Sequence, residues 1–270
     1  MMLGALSEDL FRWLTLLSVA GTLGFARYYG FTFIFPLFSW MEVRGPLRFA
    51  IAIGLSLPSA VMVHQLLREG GMPSPGLWAA LMVKEAAVGM ALGSVMGLPF
   101  WAMQGVGDTI DVYRGASAAN LFDPVNAQEM TISGKFLVMF SLTLFAALGG
   151  IGETVDLLLR SQRAWPVLAL SPPFEIATLK GFGEVALKAL MIAVALGAPL
   201  LIALLLVDVA LVFAVRGARS FNVYDLTNAA RGLMLVLVLP VYVTLFARHF
   251  PDLLRPLLRL MSDLVTALGR

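Results

Sequence analysis

Gly105-Val106-Gly107-Asp108 and Tyr224-Asp225 are the two places where this sequence sets a carboxylate beside neighbours that could make it reactive. Two carboxylates sharing one proton can activate water, but only when both are held in a water-poor site. Asp108 instead opens a polar stretch, residues 108–135, and Asp225 stands among Arg216, Arg219 and Arg231. A solvated carboxylate is cheap in such surroundings and needs no catalytic explanation. His64 and His249 are the only histidines, and their separation is not that of metal ligands. Cysteine is absent, which removes disulfides, thiolate metal sites and thiol nucleophiles. No nucleophile elbow, phosphate loop or dinucleotide fingerprint occurs. The sequence therefore predicts no enzyme, no metal and no cofactor.

The charges that remain to be explained lie inside apolar runs: Arg27, Lys84, Glu85 and Asp208. Ionisable groups in apolar helices face protein or water and pair there. Glu85 and Asp208 are too short to snorkel far, so they are expected to form polar contacts inside an assembly, between helices or between subunits, with Arg27 as a third member. Lys84 and Glu85 are sequence neighbours and leave a helix in different directions, so they are not expected to neutralise each other directly.

Small residues give a second signal. Gly89, Gly93 and Gly97 recur every four residues, lie along one helix face and let another helix approach closely. The partner is either a sister subunit or another helix of this chain. Residues 104–124, QGVGDTIDVYRGASAANLFDP, are too polar for lipid and too small to pack a core. They are expected to form a compact, deformable loop. Composition alone favours an ordinary surface loop over one that sits in a passage and moves aside.

The elements that must position these residues are membrane helices. The chain has 270 residues, of which 59% are hydrophobic and 13% charged, whereas a soluble domain carries about 25% charged residues. A net charge of +2 gives no reason to expect nucleic acid. The start, Met1 to Trp13, carries Glu8, Asp9 and a single Arg12, so no cleaved leader is expected. Charge-free runs at 49–67, 86–107 and 189–207 approach the length of a span unbroken. Pro36, Pro58, Pro99, Pro199 and Pro240 each lie deep in an apolar run and are expected to break it. Glu69–Gly76 reads as a turn, and Trp165-Pro166 with Ser171-Pro172-Pro173 marks another break.

Charge bias adds a difficulty. Residues 216–231 and the amphipathic tail 248–270 are both net basic, and both favour the cytoplasmic side. A single apolar segment, 232–247, joins them. A bent hairpin or re-entrant segment would satisfy both flanks; a weak bias is the alternative. The expected fold is all-α: one membrane-associated domain over residues 1–270, a bundle of bent and broken helical hairpins with about five to seven apolar helices.

These residues resemble the SctT/FliR family of type III secretion export-gate subunits, over most of residues 20–250. Arg27, Pro36 and Arg48 are similar to its N-terminal Arg…Pro…Arg pattern, and Glu85, Gly89 and Gly93 to its Glu-x-x-x-Gly-x-x-x-Gly stretch. Gln104, Gly107, Asp111, Gly115 and Asp123-Pro124 resemble its central loop. Pro199, Asp208 and Asn222-Val223 fall where the family has Pro, an acidic residue and Asn-Val. Trp165-Pro166 resembles the injectisome branch more than the flagellar one. The usual Ala-Pro-Gln-Leu-Asn is replaced by Ala218 to Asn222, and a later Pro-x-Lys by Ala230-Arg231, which keeps the positive charge.

The resemblance implies a non-enzymatic subunit that joins SctR-like and SctS-like chains, and a SctU-like switch protein, in a helical cone through which unfolded proteins leave the cytoplasm. It implies a place in the bacterial inner membrane, with the cone partly raised toward the periplasm. It also implies that the central loop, with Gly105, Gly107, Asp108, Asp111, Gly115 and Asp123, helps plug the channel. The rivals are the flagellar counterpart, FliR, and a secondary transporter with discontinuous helices, which should show an internal repeat. A third rival, an intramembrane aspartyl protease, matches Gly-x-Gly-Asp and Tyr-Asp only in reversed order.

Overall fold

The computed structural model describes residues 2–113, 131–171, 176–215 and 223–267. Among these residues the chain is all-α, with eight helices and no strand. They are α1 (Met2–Ile34), α2 (Pro36–Trp40), α3 (Gly45–Gly70), α4 (Pro75–Tyr113), α5 (Ile132–Ala147), α6 (Gly150–Ala164), α7 (Ile176–Val215) and α8 (Val223–Ala267). By length and composition, α3, α4, α7 and α8 can cross a membrane, and α5 with α6 makes a fifth if the pair counts as one span.

The prolines correct the sequence expectation. Only Pro36 marks a break: Phe35 before it is extended (φ −62°, ψ 125°), and Pro36 opens α2. Pro58, Pro99, Pro199 and Pro240 lie inside α3, α4, α7 and α8, which continue on both sides. A proline removes one backbone hydrogen bond. Ending the helix would orphan several more in surroundings with no water to take them, so the helix continues. The same logic removes the hairpin expected at 232–247. That segment and the described part of the basic tail are one continuous helix, α8, despite Pro240, Pro251 and Pro256.

Two of the turns between helices need glycine. Gly71 (φ +85°) ends α3 within the turn expected at Glu69–Gly76, and Pro75 opens α4. Gly149 (φ +85°) separates α5 from α6. Gly150 sits so close to the Phe145 ring that a β-carbon there would overlap it.

The chain divides into two compact units, each built from separated stretches. The first comprises Met1–Gly97, Ile151–Val185 and Arg259–Arg270; the second comprises Leu98–Gly150 and Ala186–Leu258. In the first, α1 packs on α3, and Ala20, Leu23, Val63, Leu67, Leu81 and Val167 form a buried cluster. In the second, aromatic rings are shared among helices: Phe140 meets Phe246 at 5.4 Å and Phe100 meets Phe145 at 5.3 Å between centroids. On α7 and α8, Met191, Val194, Leu206, Val236, Leu237 and Val241 face outward and exposed, an apolar surface that suits lipid or another subunit.

Candidate functional site

The first unit holds a buried ion pair. Arg27 on α1 and Glu85 on α4 are both fully buried. The guanidinium meets the carboxylate in a fork, Nε donating to Oε2 at 2.7 Å and Nη2 to Oε1 at 2.8 Å. Nη1 donates to Ser161 Oγ on α6 at 3.0 Å, and Nη2 also to the Trp165 carbonyl at 3.1 Å. Lys84 Nζ lies 2.5 Å from the same Glu85 carboxylate. It also donates to the carbonyls of Pro166, Val167 and Ala169 at 3.2, 2.9 and 3.1 Å. The ammonium stands 5.3 Å from the centre of the Trp165 ring. Two cations thus share one carboxylate. The backbone carbonyls just past the C-terminus of α6, the negative pole of that helix, supply the remaining compensation.

One expectation is corrected here. Lys84 and Glu85 do neutralise each other, because the long lysine side chain folds back toward the carboxylate although the two Cβ atoms diverge. Arg27 and Glu85, expected to find partners between helices or between subunits, pair across helices of this one chain. The Trp165-Pro166 turn, read from sequence only as a break, closes over the pair.

The glycines explain how α1 and α4 come close enough. A β-carbon on Gly89 would overlap the Arg27 carbonyl oxygen and stand 2.9 Å from Phe31 N; on Gly93 it would stand 2.9 Å from Phe31 O. Gly97 is buried one turn further on. On the opposing helix, Gly30 lies against the Ala86 carbonyl. The glycine face therefore serves packing within the chain, and Gly30 was the half of the seam that sequence spacing missed.

The second unit holds the other polar centre. Residues 104–113 are the last turns of α4, not the beginning of a loop as expected. Gly105 is exposed with open space around it, whereas Gly107 is buried where a β-carbon would stand 2.5 Å from Gly134 N and from Ser133 O. Asp108 Oδ1 accepts from Thr131 Oγ1 at 2.6 Å, and Thr131 Oγ1 caps α5 by accepting from Gly134 N at 3.1 Å. Asp111, 1% exposed, accepts from Ser133 N and Ser133 Oγ, both at 2.7 Å. Asp108 and Asp111 thus bind the end of α4 to the start of α5. Gly115 and Asp123 lie outside the described residues.

Asp208 on α7, also expected to pair between helices or between subunits, pairs within the chain with Arg231 on α8. Arg231 Nε to Asp208 Oδ1 is 2.5 Å and Nη2 to Oδ2 is 2.9 Å. The remaining nitrogen, Nη1, donates to the Tyr113 carbonyl at the end of α4 at 2.7 Å. Nothing in the linear spacing points from Arg231 to Asp208 or Tyr113. Thr131 was the readable signal, a capping residue directly before an apolar helix. Among the described residues no three metal-ligating side chains cluster.

Asp111→Ala strips partners from a partly buried backbone N–H and a hydroxyl. It is expected to lower stability by about 1.5–3 kcal/mol, the range for hydrogen bonds to a charged group, read as thermal unfolding in detergent.

Among the described residues, helices seamed by glycine and tied to one another by ion pairs fit a packing subunit. Residues 18–257 match the family described as bacterial export proteins, family 1. The chain belongs to this family. Among relatives in it, the surface presentation of antigens protein SpaR of Salmonella typhimurium is 30% identical over 236 residues, covering 87% of this chain and 86% of SpaR. The Yop proteins translocation protein T of Yersinia pestis is 31% identical over 169 residues, 63% of this chain and 65% of that protein. The flagellar biosynthetic protein FliR of Pectobacterium carotovorum subsp. carotovorum is 27% identical over 229 residues, 81% of this chain and 84% of FliR. These matches include the SctT and FliR branches that the motifs resemble, and identity is higher to SpaR and to translocation protein T.

Proposed function

We propose that this protein is the SctT-type subunit of an injectisome export gate: a non-enzymatic, integral membrane component that helps form and close the channel for unfolded secreted proteins. The likeness to SpaR along most of both chains carries this reading. Its place is the bacterial inner membrane, in a complex partly raised toward the periplasm. Its partners are SctR-like and SctS-like chains and a SctU-like switch protein. The exposed apolar surface of α7 and α8 supports a chain that needs lipid or companions to cover it.

In this reading the two polar centres have separate tasks. Arg27, Lys84 and Glu85 bind α1, α4 and the turn after α6 into one frame. Asp108, Asp111, Asp208 and Arg231 frame the ends of the segment between α4 and α5. The closing role belongs to that segment, with Gly115 and Asp123. Gly105, Gly107, Asp108 and Asp111 belong to the helix that carries it. Gly115 and the small residues that follow it to Ala119 make a barrier that yields when substrate engages.

Two measurements test this. Co-expressed with SctR-like and SctS-like chains, the protein is expected to purify with both and to restore secretion in an injectisome strain lacking its own SctT. Restoration of flagellar export alone would move it to the FliR branch, which the likeness to FliR keeps as the second reading. Deleting residues 115–122, which spares α4 and its aspartates, is expected to leave the complex assembled and raise ion leak across the membrane. Unchanged conductance would remove the closing role.

A further inference from the structure

We propose that the groove beside Lys84 in the first unit is a lipid site, holding one acyl chain of an anionic phospholipid with its phosphate at Lys84. The proposal needs only that the protein lies in a membrane. It depends neither on the closing role nor on the branch of the family.

The groove lies wholly within the first unit and has a volume of about 450 Å³. It follows α4 past Ala87, Val88, Ala91, Leu92 and Val95, and Ala164, Phe182 and Val265 line it from α6, α7 and α8. Lys84 and Ser161 bring polar side chains to it. Both belong to one end, where Ser161 accepts from Arg27 and Lys84 meets Glu85. The rest of the wall is hydrocarbon and the Trp165 ring. Mostly apolar walls with a few convergent polar groups are the usual form of a small-molecule site.

Dimensions select the occupant. From Lys84 to Val95 the helix rises about 16 Å. That length and the volume give a mean cross-section of about 27 Å². One extended hydrocarbon chain fits. A helix from a partner, about 10–12 Å across with its side chains, needs about three times that area or more. Ala87 and Ala91, one turn apart and both exposed, leave the channel by their lack of bulk. Gly89 and Gly93 on the same helix turn instead to α1. One face of α4 takes a helix, and the other is too narrow for one.

Charge selects the head group. Arg27 and Lys84 share the Glu85 carboxylate, so the cluster carries one positive charge in excess, offset by carbonyls and a hydroxyl. Lys84 is the cation that lines the groove. Its longest hydrogen bond, 3.2 Å to the Pro166 carbonyl, is the one a phosphate oxygen can take over. Trp165, with its ring centre 5.3 Å from the ammonium, suits the boundary between head group and chain.

The test reconstitutes the full chain in phosphatidylcholine vesicles and titrates in phosphatidylglycerol brominated on its acyl chains. Bromine quenches tryptophan at short range. The protein has five tryptophans, so the Trp165 signal is the difference between the parent and Trp165→Phe. A preference of about fivefold, the worth of one basic residue against an anionic lipid, puts half-maximal quenching of Trp165 at about one-sixth mole fraction, against about one-half without preference. Brominated phosphatidylcholine should show the value without preference. Ala87→Leu with Ala91→Leu fills the groove from two exposed positions and should cut Trp165 quenching at least twofold. If the double variant does not accumulate in membranes, Ala91→Leu alone carries the prediction with the same sign.

Half-maximal quenching at one mole fraction for both lipids overturns the anionic head group at Lys84. Parental quenching in the filled variant overturns the groove as the site. Quenching that the free chain shows and the complex with SctR-like and SctS-like chains loses overturns the proposal as well, because a partner's side chain then occupies the groove. Failure to form that complex counts against the export-gate reading alone, and the free chain still decides the lipid site.

Discussion

Glu85→Gln is expected to lower the stability of the protein by about 3–5 kcal/mol, the cost of leaving a buried charge without its partner. Arg27 is fully buried and cannot shed its proton, so it stays charged when the carboxylate is gone. Glutamine keeps the shape but turns an amide toward the donors of Arg27 and Lys84. The Ser161 hydroxyl and Trp165 carbonyl remain near Arg27, but neither carries a full charge. Arg27→Lys should also be destabilising, because an ammonium cannot reach Glu85, Ser161 and the Trp165 carbonyl with one fork. Arg27→Met combined with Glu85→Leu should recover part of the loss, since it removes the desolvation penalty of Arg27 along with the attraction, while Lys84 keeps only its three carbonyl partners. Thermal unfolding of the purified complex and the amount of protein in membranes report the effect. A Glu85→Gln protein within about 0.5 kcal/mol of the parent, the range of an innocuous surface change, would show that the pair does not hold α1 to α4.

Gly89→Ala should separate α1 from α4. The added carbon would overlap the Arg27 carbonyl oxygen and stand 2.9 Å from Phe31 N, and both are backbone atoms of a helix that cannot swing aside as a side chain does. Overpacking of this kind costs about 1–3 kcal/mol. Here it also pushes the Arg27–Glu85 fork out of register, so the two losses compound instead of adding independently. Gly89→Leu should not assemble. Gly105→Ala is the control, because nothing lies within 4 Å of the position where its β-carbon would go. An alanine in an open helical position should raise stability by about 0.5–1 kcal/mol. Equal effects at positions 89 and 105 would mean that helix propensity, not interhelical distance, explains these glycines.

Composition and motif order were enough to establish an all-α membrane chain of the export family. Too little charge to coat a globule, and long runs without any, leave few other folds. The Gly89/Gly93 face was also legible, because its signal is local: a period of four. The prolines misled because a break is a local inference, whereas continuing the helix depends on what surrounds the backbone. Residues 104–113 misled for the same reason. Glycine and aspartate look loop-like in sequence, yet Gly107 is there to let α5 approach and Asp111 to hold Ser133.

What the sequence determined by itself was which groups must find partners: Arg27, Glu85 and Asp208 could not stay bare in apolar surroundings. The tertiary structure alone decided which partners they took. Arg27 and Glu85 are 58 residues apart, Arg27 and Ser161 are 134 apart, and Arg231 and Tyr113 are 118 apart. Charge and burial set the need for a counter-ion, but no local rule carries a direction across such separations. Only the close approach of helices permitted by Gly30, Gly89, Gly107 and Gly134 brings the donors and acceptors within reach.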